Sequence, residues 1–328
     1  MGVLAVVVLL ASMAAAATFG AADIAVLDVA RSALAHIGLA DDPLTDLQDG
    51  IVWQLRMPRI LTAAAVGAGL ALSGAVMQAV TRNPLADPYL LGLSSGASCG
   101  AVLVLVLGAG FVLPAAAFVG AMVAMAATMT LARSVGAITP ATTVLAGLAV
   151  SSLAGALTSL VVFWSATGDA YREILSWLLG SLAGADWGSV VISGVALGLV
   201  GVPVLLSGRV LDGFAFGDNA AASLGLDVNR IRWLLLGATA LLTGAMVSVS
   251  GSIGFVGLVL PNAVRLIVGS RHRRLLPLSA IVGAVFLVWV DTAARTLFDP
   301  RELPVGIMTV VVGAPVFAWL LRRQRRRA

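Results

Sequence analysis

Side chains that do covalent or metal chemistry are scarce in this sequence. Its 328 residues include two histidines, His36 and His272, and one cysteine, Cys99, all far apart. No Cys/His metal site of ordinary spacing can be built from them. All 20 basic residues are arginine. Without lysine there is no Walker A loop to hold the β- and γ-phosphates of ATP, and no Schiff-base chemistry. No carboxylate pair, nucleophile–base set or phosphate cradle stands out, so the chain is not itself an enzyme. What remains are charges in or beside hydrophobic runs. Arg56 and Arg59 lie in Leu55-Arg56-Met57-Pro58-Arg59, and Asp291 precedes Arg295 by four residues. Such charges are costly near lipid and default to a functional hypothesis. The i,i+4 spacing also lets Asp291 and Arg295 neutralise each other on one helix face.

The elements that must position these residues are membrane spans. The composition is 60% hydrophobic and only 11% charged, with mean hydropathy +1.04. About a quarter of the residues are charged in an ordinary soluble domain. A soluble enzyme, a disordered chain and a disulfide scaffold are excluded. One span takes about 20 apolar residues. Apolar runs and polar breaks predict ten: Val3–Ala22, Ile60–Val80, Tyr89–Leu107, Val112–Ala132, Thr142–Trp164, Trp187–Leu206, Trp233–Val249, Phe255–Gly269, Leu276–Phe298 and Val305–Leu321. The run from Phe255 is short and follows a Gly-rich turn, which suits a tilted or broken helix. The first run has no basic residue before it, so it reads as an uncleaved helix rather than a signal peptide.

Arginine placement sets the orientation. Fourteen of the 20, including Arg82, Arg133, Arg265, Arg271, Arg273, Arg274 and the tail from Arg322, fall on the side of the C-terminus. With ten spans, both termini are then cytoplasmic. The formal charge of +4 and pI near 10.5 reflect this topology, not nucleic-acid binding. Asp23–Arg59 lies outside, and Ile24, Leu27, Leu34 and Ile37 are spaced for a short interfacial helix. Ser165–Asp186 also lies outside and holds Arg172, Glu173 and Trp177. Residues 207–232 form the longest cytoplasmic loop. Gly67-Ala68…Ser73-Gly74 recurs as Gly244-Ala245…Ser250-Gly251, five spans apart and therefore inverted. The expected organisation is one polytopic domain over 1–328, with pseudo-repeats of about 1–165 and 187–322. Met122, Met125 and Met129 on the fourth span read as packing.

The segment Arg82-Asn83-Pro84-Leu85-Ala86-Asp87-Pro88 leads into Gly92-Leu93-Ser94-Ser95-Gly96. Two prolines interrupt the helix there. Non-helical backbone at membrane depth is tolerated only when buried in protein or lining a cavity. A structural break and a pathway lining are both open. On the outer side, Arg56 and Arg59 run against the positive-inside bias. They serve either as headgroup anchors or as a cationic docking surface for an acidic partner.

Together these motifs resemble one family. Trp53-Gln54-Leu55-Arg56-Met57-Pro58-Arg59, Gly67-Ala68…Ser73-Gly74…Gln78…Asn83-Pro84-Leu85-Ala86-Asp87-Pro88 and Leu91-Gly92 are similar to permeases of type II ABC importers for iron-siderophores, haem and cobalamin, the FecCD-like family. So are Gly254-Phe255-Val256-Gly257-Leu258…Pro261, His272-Arg273…Leu276-Pro277, Asp291…Ala294-Arg295, Glu302-Leu303-Pro304-Val305-Gly306 and Gly313-Ala314-Pro315-Val316-Phe317. The resemblance runs from about Trp53 to Leu321. It implies an all-α permease with two inverted five-helix halves, acting as a homodimer in a bacterial inner membrane. Two ATP-binding cassette subunits, holding ATP and Mg, and a periplasmic or lipid-anchored binding protein would complete it. No cofactor is expected in this chain.

By the same resemblance, Phe216, Gly217, Asp218, Ala221, Leu224 and Gly225 couple to the ATPase. Arg56, Arg59 and Arg295 meet acidic residues of the binding protein. Thr139, Thr142, Thr143 and the helices from Thr142 and Val305 line or gate the path, alongside Asn83, Pro84, Gly92, Ser94, Ser95 and Gly96. Pro261-Asn262 departs from the family's usual Pro-His, so a titrating imidazole is not available there. The expected cargo is a metal chelate, a ferric siderophore first, with haem or cobalamin as the alternative. An ion-coupled secondary transporter and a structural membrane subunit are rival readings of the residues.

Overall fold

The structure is a computed structural model. It describes residues 2–20, 24–36, 38–39, 41, 43–135, 139–165, 168–214, 217, 227–298 and 301–325, and among them every regular element is helical. In chain order these are α1 (Gly2–Thr18), α2 (Val26–Ala35), α3 (Asp46–Gly50), α4 (Met57–Thr81), α5 (Leu93–Val106), α6 (Leu113–Ser134), α7 (Pro140–Ser165) and α8 (Gly168–Leu178). Then follow α9 (Trp187–Ala196), α10 (Val202–Leu206), α11 (Gly208–Phe214), α12 (Val228–Ser250), α13 (Val256–Val268), α14 (His272–Thr296) and α15 (Val305–Arg325). Six helical segments are long and apolar enough to cross a membrane, and four shorter apolar helices stand among them: α1, α5, α13 and α15. These ten segments are the ten runs expected. α2 falls where a short interfacial helix was anticipated.

One boundary differs. The second membrane helix starts well before Ile60: α3 continues through a π-helical turn, Ile51–Arg56, into α4. The start at α3 is fixed by Thr45, whose hydroxyl accepts from the Gln48 N–H while Gln48 caps the Thr45 N–H in return. Pro58 explains the wide turn. A proline ring clashes with the carbonyl four residues back and has no N–H to give it. A π turn ahead of it makes room. The same device recurs at Leu197–Gly201, immediately before Pro203 on α10.

The centre of the bundle is α4, nearly all of it buried, with α12 next. Small residues let backbones approach at these helices. A Cβ added at Gly74 would collide with the Gly257 carbonyl of α13, and one at Gly67 with the Gly283 carbonyl of α14. Met122 and Met125 pack against the same core and Met129 is buried, as expected of packing residues. By contrast α7 and α9 are mostly exposed: Leu148, Leu153 and Phe163 of the first and Val191 and Val195 of the second face outward. In a membrane, such faces meet lipid or another protein.

The close approach makes a test. Gly74→Ala should destabilise the detergent-extracted protein by about 1–3 kcal/mol, because backbone cannot give way to a methyl group. Gly155→Ala, whose Cβ would meet nothing, should leave the melting temperature unchanged or slightly raised. Equal melting temperatures for the two variants would refute the helix contact.

Candidate functional site

At one end of the bundle the three arginines come together around the C-terminus of α1. Arg56 Nη1 donates to the Ala17 carbonyl at 2.7 Å, and Arg295 Nη2 to the Ala16 carbonyl at 2.6 Å. These carbonyls have no partner within their own helix, and a cation at a helix C-terminus is favoured by its dipole. Arg59 does something else. Its Nε and Nη2 reach the two Asp291 oxygens at 2.8 and 3.0 Å, a bidentate pair, and its Nη1 bonds Glu302 at 2.7 Å. Asp291 is 2% exposed, Arg59 8% and Arg56 5%. Asp291 therefore spends both oxygens on Arg59, 232 positions away, and not on Arg295 as the spacing allowed. The helix geometry did not decide this; the tertiary approach of α4 to α14 did.

A second polar region lies where helices are interrupted. Between α12 and α13 the chain is non-helical through residues 251–254, and Gly251 and Phe255 take positive φ. Several backbone groups there find a donor or acceptor from another element. Tyr89 Oη donates to the Ile253 carbonyl at 3.0 Å and accepts the Ile253 N–H at 3.1 Å. Ser94 and Ser252 share a hydroxyl hydrogen bond of 2.7 Å. Ser181 N–H donates to the Ser250 carbonyl, and Gly306 N–H to that of Gly180. Next to this break a cavity of about 430 Å³ opens, lined by Glu173, Trp177, Ser181, Asp186 and Ser248 among others.

Below it, Pro261 lies inside α13 and cannot donate to the Gly257 carbonyl four residues back. Gln78 Nε2 of α4 donates to that carbonyl instead, at 3.1 Å. Arg265 joins Gln78 to Asn262, with bonds of 3.3 and 2.8 Å, and Asn262 Nδ2 donates to the Pro84 carbonyl at 2.7 Å. Both ends of the Asn262 amide are thus in use without any titration. Asn83 makes a local turn by accepting the Leu85 N–H.

The other expected residues sort as follows. Gly92, with φ of 80°, is backed by Thr128 and Val150. A Cβ at Gly96 would strike the Gly120 carbonyl, so this pair serves close packing of α5 on α6 and α7. Ser94 belongs to the break, while Ser95 is half-buried beside it. Thr139 and Thr142 cap the start of α7 reciprocally: the Thr139 N–H donates to Thr142 Oγ1 and the Thr142 N–H to Thr139 Oγ1. Thr143 is buried and donates to the Thr139 carbonyl. Of the coupling residues, Gly217 is described, with φ of 96° and Arg82 beside it. Phe216, Asp218, Ala221, Leu224 and Gly225 lie outside the described residues. Among the described residues no three His, Cys, Asp or Glu side chains converge on a metal position.

Sequence reasoning passed over Gln78, Tyr89, Arg265 and the Asp212–His272 contact. The signal was present for Gln78: Pro261 announces an orphan carbonyl, and Gln78 is a lone amide in a buried apolar run. For Arg59 and Asp291 the signal was two opposite charges, each unexplained, at the same end of the bundle.

The buried pair predicts an asymmetric mutational pattern. Asp291→Ala should cost about 3–5 kcal/mol by stranding Arg59, whereas the double change R59M/D291L should recover most of that in a thermal melt. A single-variant loss below 1 kcal/mol would contradict the pairing. A pH effect comes from Asp87, outside the spans. Burial pushes its carboxyl up to about 6, partly offset by the Tyr89 N–H that it accepts. It holds its proton more tightly folded than unfolded, where the value is 3.8. Its contribution to stability is complete below about pH 4 and is lost as pH rises through about 6. Asp87→Asn should flatten that part of the stability–pH curve.

Comparison with known proteins places this architecture. The pattern of the FecCD transport family matches residues 4–323. The vitamin B12 import system permease BtuC of Vibrio cholerae is 41% identical over 85% of this chain and 85% of its own. The hemin transport system permease HmuU of Yersinia pestis is 40% identical, covering 84% of each. A solved structure described as an inward-facing conformation of a transporter assigned to the metal-chelate ABC type superposes with TM-score 0.87 at 31% identity, over 98% of both chains. The chain is a multi-pass permease subunit of an ABC transporter, not itself an enzyme, and it belongs to the FecCD transport family.

Proposed function

We propose that this permease carries a metal chelate from a binding protein into the cytoplasm, driven by ATP hydrolysis in partner subunits. The observation that carries the reading is the interior break of α12 and α13, with the 430 Å³ cavity opening beside it. Non-helical backbone inside a bundle is sustained where it lines a path. The walls offered there are serine hydroxyls, backbone, an indole and the carboxylates of Glu173 and Asp186, and among the described residues no three His, Cys, Asp or Glu side chains form a metal cage. Such a lining suits a cargo whose metal is already wrapped by its own chelator. Cobalamin and hemin, the cargoes in the names of the two relatives, are of that kind. The ferric siderophore expected from the sequence belongs to the same class.

The exposed faces of α7 and α15 are where a second copy would sit, with the path between the two. ATP-driven movement of the 207–232 loop would then open and close the gates. Both termini are cytoplasmic in this arrangement, as the arginine distribution favours. The outer arginines have a positioning part in it. Because Arg56, Arg59 and Arg295 are bound within the chain, they would present the helix ends to the binding protein rather than reach for it. Glu302, half-exposed and held by Arg59, would lie at that surface.

Vesicles containing the permease, its ATPase and its binding protein should take up a metal chelate only with internal or external ATP on the ATPase side. Ferric siderophore, haem and cobalamin supplied in parallel identify the cargo. Uptake at full rate without the ATPase, or driven by an ion gradient alone, would overturn the importer reading in favour of a secondary transporter.

A further inference from the structure

The arginine-rich end holds a second kind of site. A cavity of about 610 Å³ lies between the start of α1, the end of α13 and the first turns of α14. Gly2, Ile267, Arg273, Arg274, Leu278 and Ile281 line it. Asp212 of α11 explains why two arginines are left for this space. Its Oδ1 accepts both the His272 N–H and the His272 ring Nδ1, each at 2.8 Å, and so caps α14 from the other side. Arg273 and Arg274 are exposed. Among the described residues neither guanidinium has a hydrogen bond or a carboxylate partner, unlike Arg56, Arg59, Arg265 and Arg295.

The wall below the two charges is apolar. Ile267 is 69% exposed, Leu278 and Ile281 are half-exposed, and Val3, Leu4 and Val7 of α1 continue the apolar surface along the helix. Charge at the mouth and hydrocarbon beneath it match an amphiphile with an anionic head. Guanidinium forks bind phosphate in a planar, bidentate way. Basic pockets between membrane helices suit anionic headgroups, and each CH₂ buried adds to the hold. An acidic protein segment would satisfy the charges and leave the apolar wall uncovered.

We propose that this cavity binds one anionic phospholipid of the leaflet at the arginine-rich end. Its phosphate lies between Arg273 and Arg274, and its acyl chains run along Ile267, Leu278, Ile281 and the outer face of α1. This is a site, distinct from the diffuse attraction that any interfacial arginine exerts. It joins the exposed start of the first helix to the α13–α14 corner through a lipid.

The test is retention of lipid by the full chain, measured by native mass spectrometry after extraction from vesicles of phosphatidylglycerol and phosphatidylcholine. One phosphatidylglycerol per chain should be retained, with phosphatidylcholine not held. R273A/R274A should lower retention about tenfold or more. R322A/R323A, which removes the same charge from the C-terminal segment, should leave it intact. R273K/R274K, which keeps charge and fold, should retain an intermediate amount. Thermal melts confirm that each variant is folded. Equal loss in both alanine pairs would overturn the site in favour of diffuse charge. Equal retention of both lipids, or displacement by soluble glycerol phosphate alone, would overturn it too. Loss of ATPase co-purification from R273A/R274A with lipid still bound would make the surface a protein contact instead.

Discussion

The structure is governed by the requirement that backbone polar groups shut off from water find their partners inside the chain. Helices meet it automatically, and the interruptions do not. At α13 and the α12–α13 connection the interruptions are answered by side chains and backbone from other elements. Pro261 leaves the Gly257 carbonyl open, and Gln78 supplies the donor. The non-helical stretch after Ser250 is held by Tyr89, Ser94 and the backbone around Gly180. These contacts join α4, the α4–α5 connection, α8 and α15 to the α12–α13 break. The site's geometry is therefore a by-product of satisfying orphan groups, and a pathway can pass there because the backbone is already committed.

Close packing supplies the frame that makes this possible. Gly67 against Gly283, and Gly74 against Gly257, bring α4 within backbone contact of α14 and α13. Only at that range can Gln78 reach a carbonyl on α13 and Arg59 reach Asp291 on α14. Small residues and long polar side chains are complementary here: the first set the separation, and the second spend it. α7 and α9, by contrast, are left mostly exposed. A transporter needs this division, with a rigid centre that holds the break and outer helices free to meet lipid or a partner.

Much of this was legible in the sequence. The ten apolar runs match six helices long enough to cross a membrane and four shorter apolar ones, and the Asn83–Gly92 segment was recognised as a break. What was not legible depended on tertiary approach. The i,i+4 rule pointed Asp291 to Arg295 because it knows only one helix; α4 brought a bidentate competitor. The π turns before Pro58 and Pro203 depend on the chain being helical on both sides of a proline, which local signals read as a boundary. Thr139 and Thr142 looked like gate residues and are found capping α7, since a threonine pair at that spacing satisfies the first N–H groups of a helix. The two roles are compatible, because a gate at a helix start needs that start well defined.

The lysine-free composition sharpens into a distinction among the arginines. A guanidinium carries five donors in a fixed fork and stays charged under desolvation better than an ammonium would. Around the C-terminus of α1 that property is used inward. Arg56 and Arg295 close the carbonyls of α1, and Arg59 holds two carboxylates of different exposure. Arg265 performs the same office between α13 and α4. At the opposite end Arg273 and Arg274 have the same forks and no carboxylate among the described residues. Identical chemistry, spent within the chain at one end and left open at the other, gives the molecule a direction: the end of Arg56, Arg59 and Arg295 is bound together by its charges, while the end of Arg273 and Arg274 keeps charge available to what lies beside it.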